Sequence, residues 1–295
     1  MIAADYDFLR TFLKERSGLV LSNDKQYLIE SRLLPIAKEF SLDGIGELVA
    51  KLRSPLGRSI GEKVVDAMTT NESFFFRDKT PFDHFEKHML PSLMDARKSE
   101  RKIRIWCAAA STGQEPYSLG MILKELGLKV SAFRFEIIGT DISREVLDRA
   151  RKGTYSQFEV QRGLPIQLLL NHFTQNGEQW EISSAIRQMV QLRQLNLLDS
   201  FVALGKFDIV FIRNVLIYFD QETKIDILQR IAKQMAPDGF MVLGAAETVV
   251  GLTDAFQSVP GARGLYQPNP DFVAGGRSTL VRSGARTDPL SRKIA

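Results

Sequence analysis

Cysteine is nearly absent: Cys107 stands alone among 295 residues. One thiol cannot close an internal disulfide, so the chain is no disulfide scaffold, and a reducing cytoplasm is its expected home. Histidine is almost as scarce, at three residues. His84 and His88 are four apart, but they read His-Phe-Glu-Lys-His rather than His-Glu-x-x-His. With no third ligand evident, no metal is expected. No apolar run approaches the ~20 residues of a membrane span, and the N-terminus has no basic-then-apolar leader pattern. A surplus of one charge is also missing from the body. The net charge of +4 comes mainly from residues 268–295, with five basic side chains against two acidic, whereas residues 1–80 carry twelve of each. No polyanionic partner is therefore indicated, and no nucleic acid is expected.

What is present centres on residues 102–118. Ile103, Ile105 and Cys107 alternate as in a strand. Three alanines, Ser111, Thr112 and Gly113 follow, small enough to let a ligand approach the backbone. Pro116 is preset for a helix's first turn, with the helix expected over 118–126. Strand, small-residue turn and helix open a nucleotide-type α/β domain, whose ligands bind beyond the carboxyl ends of the strands. The turn is not Gly-x-Gly-x-x-Gly. A pyrophosphate needs a bare helix N-terminus, and Glu115 in this first turn would repel it. The same carboxylate suits a cationic amine, which favours S-adenosylmethionine over a dinucleotide. Thr112-x-x-Glu115 fits a capping box equally well, and both readings stay open.

Residues 1–75 are helical by periodicity. Gly18 ends a first helix, and Ser22 or Asp24 is positioned to cap a second, which Pro35 should kink or break. Shorter amphipathic pieces cover 42–53 and 60–70. Asn71, Ser73 and Arg77 flank three consecutive phenylalanines, 74–76, which must be buried at a junction. An amphipathic helix over 82–94 leads to a basic linker of Arg97, Lys98, Arg101, Lys102 and Arg104. A second strand, 133–141, ends in Asp141, where ribose hydroxyls are commonly held; an Asp that merely enters the next helix is the plainer alternative. Ser143 should cap that helix and Gly153 close it. Residues 154–195 break the rhythm, and 179–182 with 188–195 alternate like an antiparallel pair in a small β insertion. The nearly all-apolar run 207–212 is of the buried parallel type and ends at Arg213-Asn214. A helix over 221–235, a turn at 236–239, a strand over 240–244 and an edge strand at 264–267 complete the pattern. Boundaries follow: helical domain 1–78, helical and basic linker 79–101, main domain 102–268 with β subdomain near 154–195, and a disordered tail over 269–295.

Together these residues resemble the chemotaxis-receptor glutamate O-methyltransferases, the CheR family. The resemblance rests on residues 70–77 and 109–118, Gly139-Thr140-Asp141-Ile142, Asn196-Leu197-Leu198 and 207–219. Pro237-Asp238-Gly239-Phe240 and Ala246-Glu247 complete it. It implies a class I S-adenosylmethionine-dependent methyltransferase: a Rossmann-like α/β sheet with a small antiparallel β subdomain, preceded by an all-α domain. It also implies S-adenosyl-L-methionine as donor, S-adenosyl-L-homocysteine as product, and the cytoplasmic signalling domain of membrane chemoreceptors as partner. Position by position, Asn71, Ser73 and Arg77 match the interdomain segment that reaches the donor. Glu115 matches the acid near its methionine end and Asp141 the one on its ribose. Asn196-Leu197 and Asn214-Val215 match segments lining the adenine and the transfer pocket. Tyr218 matches a tyrosine near the reacting centre, with an arginine, Arg97, as the second candidate for orienting the acceptor. The family's Thr-Gly-Glu-Glu is Thr-Gly-Gln-Glu here, which removes one charge at Gln114 and keeps Glu115. Lys25 and Arg32, seven apart, are candidates for docking an acidic receptor helix, or simply solvated charges. The rivals are a nucleic-acid methyltransferase, although Asn214-Val215-Leu216-Ile217-Tyr218 lacks that group's prolines, and an inactive donor-binding module. A monomer without membrane insertion is expected.

Overall fold

A computed structural model describes residues 1–272. Residues 273–295, most of the expected tail, lie outside the described part.

Four helices open the chain: α1 (Ala3–Ser17), α2 (Gln26–Glu39), α3 (Ile45–Leu52) and α4 (Arg58–Met68). Their apolar stripes meet in one core around Leu9, Leu13, Ile29, Leu33, Leu48 and Val64. Gly18 ends α1 in the left-handed region, as expected. Two local details differ. Pro35 does not break α2 but lies inside it, with Leu33, Ile36 and Ala37 buried on either side so that packing carries the helix through. Neither Ser22 nor Asp24 caps α2; they bond each other, and Lys25 is the uncapped N-terminal residue.

The phenylalanine run does thread a junction, but unevenly. Phe75 is wholly buried, edge-on to Tyr155 (5.0 Å) and Phe173 (5.5 Å). Phe74 is only half-buried, between the guanidiniums of Arg162 (4.3 Å) and Arg77 (5.4 Å). The run leads into α5 (Thr80–His84), a π-turn (Phe85–Met89) and α6 (Leu90–Ala96).

The α/β unit then follows in order: β1 (Lys102–Ala108), α7 (Gln114–Leu126), β2 (Arg134–Asp141), α8 (Arg144–Lys152), β3 (Thr154–Ser156), α9 (Gln157–Gln161), α10 (Ile166–His172), β4 (Phe173–Asn176) and β5 (Gln179–Ile182). Next come α11 (Ser184–Arg187), β6 (Val190–Gln194), β7 (Phe207–Ile212), α12 (Gln221–Lys233), β8 (Met235–Leu243), β9 (Phe256–Ser258) and β10 (Leu265–Pro268). Among the described residues, seven strands form one sheet in the order β6-β2-β1-β7-β8-β10-β9. The first five are mutually parallel, and β10 runs antiparallel to both β8 and β9. This is the expected Rossmann-like arrangement. The chain steps from β1 to β2 on one side and to β7 on the other, so a crevice opens where β1 ends.

Three strand readings are corrected. Val190–Gln194 does not join the small insertion but pairs in parallel with β2. The small sheet is β3-β5-β4 alone. Residues 236–239 form a bulged start to β8, with a register shift opposite Phe207 and Ile209. Finally β10 is an inner strand and β9 the edge.

The helical unit is tied to this sheet through α4. Asp66 is half-buried, close to Ser143, Glu145 and Asp141. Burial first, then the carboxylates of Glu145, Asp141 and Glu62, push its pKa up to about 6, against a hydrogen bond from Ser143. An acid raised on folding binds more protons in the native state, so stability falls as pH rises from about 3.8 to 6. Asp66→Asn should remove that loss. Discounted for solvent exposure, it should be about 1 kcal/mol more stable than the parent at pH 8, with the gain gone at pH 4. Urea unfolding at both pH values reads this out, and a gain independent of pH would contradict it.

Candidate active site

The crevice where β1 ends is bounded by three loops. In the first, Ala109 (φ +61°), Ser111 (φ +50°) and Gly113 (φ +93°) are left-handed within five residues. Two of the three carry a Cβ, and such strain persists only where the surroundings impose it. The surroundings are explicit: Ser111 N–H donates to Asp141 Oδ2 (2.8 Å), and Ser111 Oγ donates to the Asn71 carbonyl (2.9 Å). The segment between the domains is thereby pinned to the turn.

The capping-box reading of Thr112 and Glu115 is not realised. Gly113 is the N-terminal cap of α7 with no side-chain cap, and Thr112 Oγ1 donates to Gln114 Oε1 instead (2.8 Å). Glu115 is left for another duty. It accepts from Arg213 Nη1 (2.8 Å), while Arg213 Nη2 reaches Asp78 Oδ2 (2.7 Å) and the Arg77 carbonyl (2.8 Å). Burial pushes the Glu115 carboxyl up, and Arg213 counteracts that push.

Asp141 ends β2 and is almost fully buried, 6% exposed. Its two oxygens accept separately, Oδ2 from Ser111 and Oδ1 from Ser143 N–H (3.0 Å). A carboxylate offers about four lone-pair sites, so these bonds leave it capacity to accept from a ligand. Burial pushes this carboxyl up, and the amides of Ser143, Ser111 and Ile142 pull it back.

The far wall comes from the loops after β6 and β7. Asn196 spends its amide on backbone: Nδ2 donates to the Arg16 carbonyl (2.7 Å) and Oδ1 accepts from Leu198 N–H (3.0 Å). Leu197 and Val215 supply apolar surface. Asn214 is left-handed (φ +57°). Tyr218 ends a short 3-10 turn, its carbonyl accepts from Val20 N–H (3.0 Å), and its ring packs on the helical core.

Asn71, Ser73, Arg77, Glu115, Asp141, Asn196, Leu197, Asn214, Val215 and Tyr218 thus all line one cleft. Arg97 does not. Its guanidinium is held by Asp238 (2.6 and 2.8 Å) and Asp208 (2.9 Å), near the starts of β7 and β8 rather than their carboxyl ends. It therefore braces the starts of β7 and β8 and does not reach the cleft to orient an acceptor. Arg32 is likewise committed, donating to the carbonyls of Met68 (2.9 Å) and Thr69 (3.0 Å) at the end of α4. It is therefore no free docking group.

Arg213 has no role legible in the sequence, nor do Ser17, Leu19 and Thr69, with which the helical domain closes the cleft beside Thr70. Gly18 was the available signal. A Cβ there would lie 2.7 Å from the Phe219 ring, so α1 ends in direct contact with the loop after β7. Two carboxylates, an apolar wall and a helix start carrying Glu115 suit a nucleoside with a cationic amino-acid tail. They do not suit a pyrophosphate.

Comparison with known proteins bears on the same residues. Residues 71–265 match the family described as CheR methyltransferase, SAM binding domain, and residues 4–69 match CheR methyltransferase, all-alpha domain. Chemotaxis protein methyltransferase 1 of Pseudomonas aeruginosa is 43% identical over 266 residues, spanning 89% of this chain and 96% of its own. Chemotaxis protein methyltransferase Cher2 of Pseudomonas putida is 41% identical over 271 residues, spanning 89% and 97%. Chemotaxis protein methyltransferase 1 of Vibrio cholerae is 39% identical over 256 residues, spanning 86% and 92%.

Proposed function

The chain belongs to the CheR methyltransferase family, and from that premise we propose that it methylates glutamate γ-carboxylates of chemoreceptors, giving methyl esters. It is an S-adenosylmethionine-dependent methyltransferase. The observation that carries the donor reading is the joint presence of Glu115 and Asp141 on one cleft at the switch point of the sheet. Among the described residues no helix is long and apolar enough to cross a membrane.

The bound donor supplies an electrophilic methyl on a sulfonium. The protein's part is to hold and align. Asp141 accepts from the ribose hydroxyls with the lone-pair capacity its backbone partners leave free. Glu115, which Arg213 pulls toward the ionised form against the push of burial, receives the ammonium of the methionine end. Leu197 and Val215 give the adenine an apolar bed, and Asn71, Ser73 and Arg77 close the cleft from the interdomain side. Tyr218 stands at the cleft wall and orients the incoming carboxylate through its hydroxyl. A glutamate with a reference pKa of about 4.3 is already ionised at neutral pH, so no general base is required. What remains is in-line placement and partial desolvation of the carboxylate.

The test is formation of base-labile methyl esters on receptor fragments with labelled donor, with RNA as the control acceptor. Label transferred to RNA and none to receptor would overturn the reading. The pH dependence discriminates further. With donor pre-bound, single-turnover transfer should rise through the acceptor's own carboxylate titration, somewhat above its usual range if desolvated, and then stay nearly flat to about pH 9. An amine or hydroxyl acceptor demands a base and a rate limb near that base's pKa. A limb centred near pH 7, absent from donor binding, would count against carboxylate methylation.

A further inference from the structure

The loop after β7 carries two of the residues placed at the transfer site, Asn214 and Tyr218, and its backbone is anchored unusually. The consecutive amides of Asn214, Val215 and Leu216 converge on one point. Successive N–H groups turned inward in this way form a concavity that attracts an anion. Here the anion is built in. Glu247 Oε2 accepts from Asn214 N–H (2.8 Å) and Gly244 N–H (2.8 Å), and Oε1 accepts from Val215 (3.0 Å) and Leu216 (2.8 Å). Three charge-assisted bonds thus tie the segment after β8 to the loop, and the fourth, from Gly244, holds the carboxylate in place on its own segment. Gly244 leaves the room for it: a Cβ there would lie 2.7 Å from Glu247 Oε2 and 2.9 Å from Asn214 Nδ2.

We propose that Glu247 is the positioning residue of the transfer site, its carboxylate fixing the left-handed Asn214 and the turn that presents Tyr218. This rests on the methyl-transfer reading given above. Glu247 lies outside the residues lining the donor cleft, so its influence runs through the loop. Only a carboxylate serves, since two amides meet each oxygen. A glutamine of the same size turns an NH2 group toward two of the four donors, so two bonds become opposed N–H pairs.

The experiment compares Glu247→Gln, Asn214→Ala and the double variant in the full chain. Three quantities are read: calorimetric affinity for S-adenosylhomocysteine, single-turnover methylation of a receptor fragment at saturating donor, and thermal midpoint. Glu247→Gln should weaken donor binding and slow transfer each by about tenfold or more, since charge-assisted bonds are lost. In the Asn214→Ala background its further effect on affinity should shrink to about twofold, because the contact it positions is already gone. Gly244→Ala, which keeps the carboxylate but crowds it, should reproduce the signature if the glutamine variant fails to fold. Wild-type affinity and rate in a folded Glu247→Gln, or in Gly244→Ala when only that variant folds, overturn the proposal. So do fully additive penalties in the double variant. A parent protein that binds no donor overturns the methyl-transfer reading itself, and the proposal with it.

Discussion

Replacing Arg213 by methionine should lower the unfolding free energy by about 3–5 kcal/mol, the usual cost of removing one partner from a buried ion pair. The guanidinium is 2% exposed and links Glu115, Asp78 and the Arg77 carbonyl. Asp78, with 39% of its side chain exposed, can be rehydrated when the arginine is lost. Glu115 at 13% cannot, so most of the penalty falls on it. Burial already pushes the Glu115 carboxyl up, and Arg213 is its chief restraint. In the variant it should therefore bind a proton in the native state that the unfolded chain releases. More protons bound in the native state means stability falling as pH rises, so the deficit is greatest at neutral pH and relieved in acid. Urea unfolding at pH 5 and 8 measures both the deficit and its slope. A loss under about 1 kcal/mol with no pH dependence would show that the pair is solvated.

That linkage was invisible in the sequence, and the reason is physical. Arg213 and Glu115 are 98 residues apart, and neither sits in a periodic pattern that points at the other. The fold was far more legible. All six residues of β7 are buried, and apart from Asp208 they read as an apolar run, as a central parallel strand requires. The edge strand β6 misled for the converse reason. One of its faces is wet, so Val190 and Leu192 alternate with Gln191 and Arg193 just as they would in an antiparallel hairpin. Periodicity reports which face is buried, and a parallel edge and an antiparallel strand share that answer. Arg97 shows the limit on side chains. In a run of basic residues nothing marks it out, and its partners Asp208 and Asp238 are 111 and 141 residues away. The donor cleft was legible because its parts sit at strand ends and tight turns, where local chemistry betrays position. The contribution of α1 was not, since it depends on how two cores meet.

Asp141→Ala should weaken binding of both the donor and its demethylated product by about 10- to 150-fold, or about 1.5–3 kcal/mol, the range for hydrogen bonds to a charged group. Two effects contribute. The ribose hydroxyls lose their acceptor, and the amides of Ser111 and Ser143 lose the carboxylate that fixes the first loop against β2. The second effect also costs stability, so thermal midpoints must accompany the calorimetry. Acidity separates the two. Because burial pushes the Asp141 carboxyl up, the parent protein should begin to lose donor affinity on acidification above the ordinary aspartate range. The hydroxyls then face a neutral, weaker acceptor. Asp141→Ala lacks that titrating group, so its residual affinity should show a smaller acid-dependent loss, the part that remains belonging to Glu115, whose carboxyl burial also pushes up. Ser111→Ala provides the contrast: it removes the hydroxyl bond to the Asn71 carbonyl while keeping the amide on Asp141. It should leave the acid-dependent loss in place. Unchanged donor affinity in a folded Asp141→Ala would remove this carboxylate from the site, and with it the argument from strand-end position.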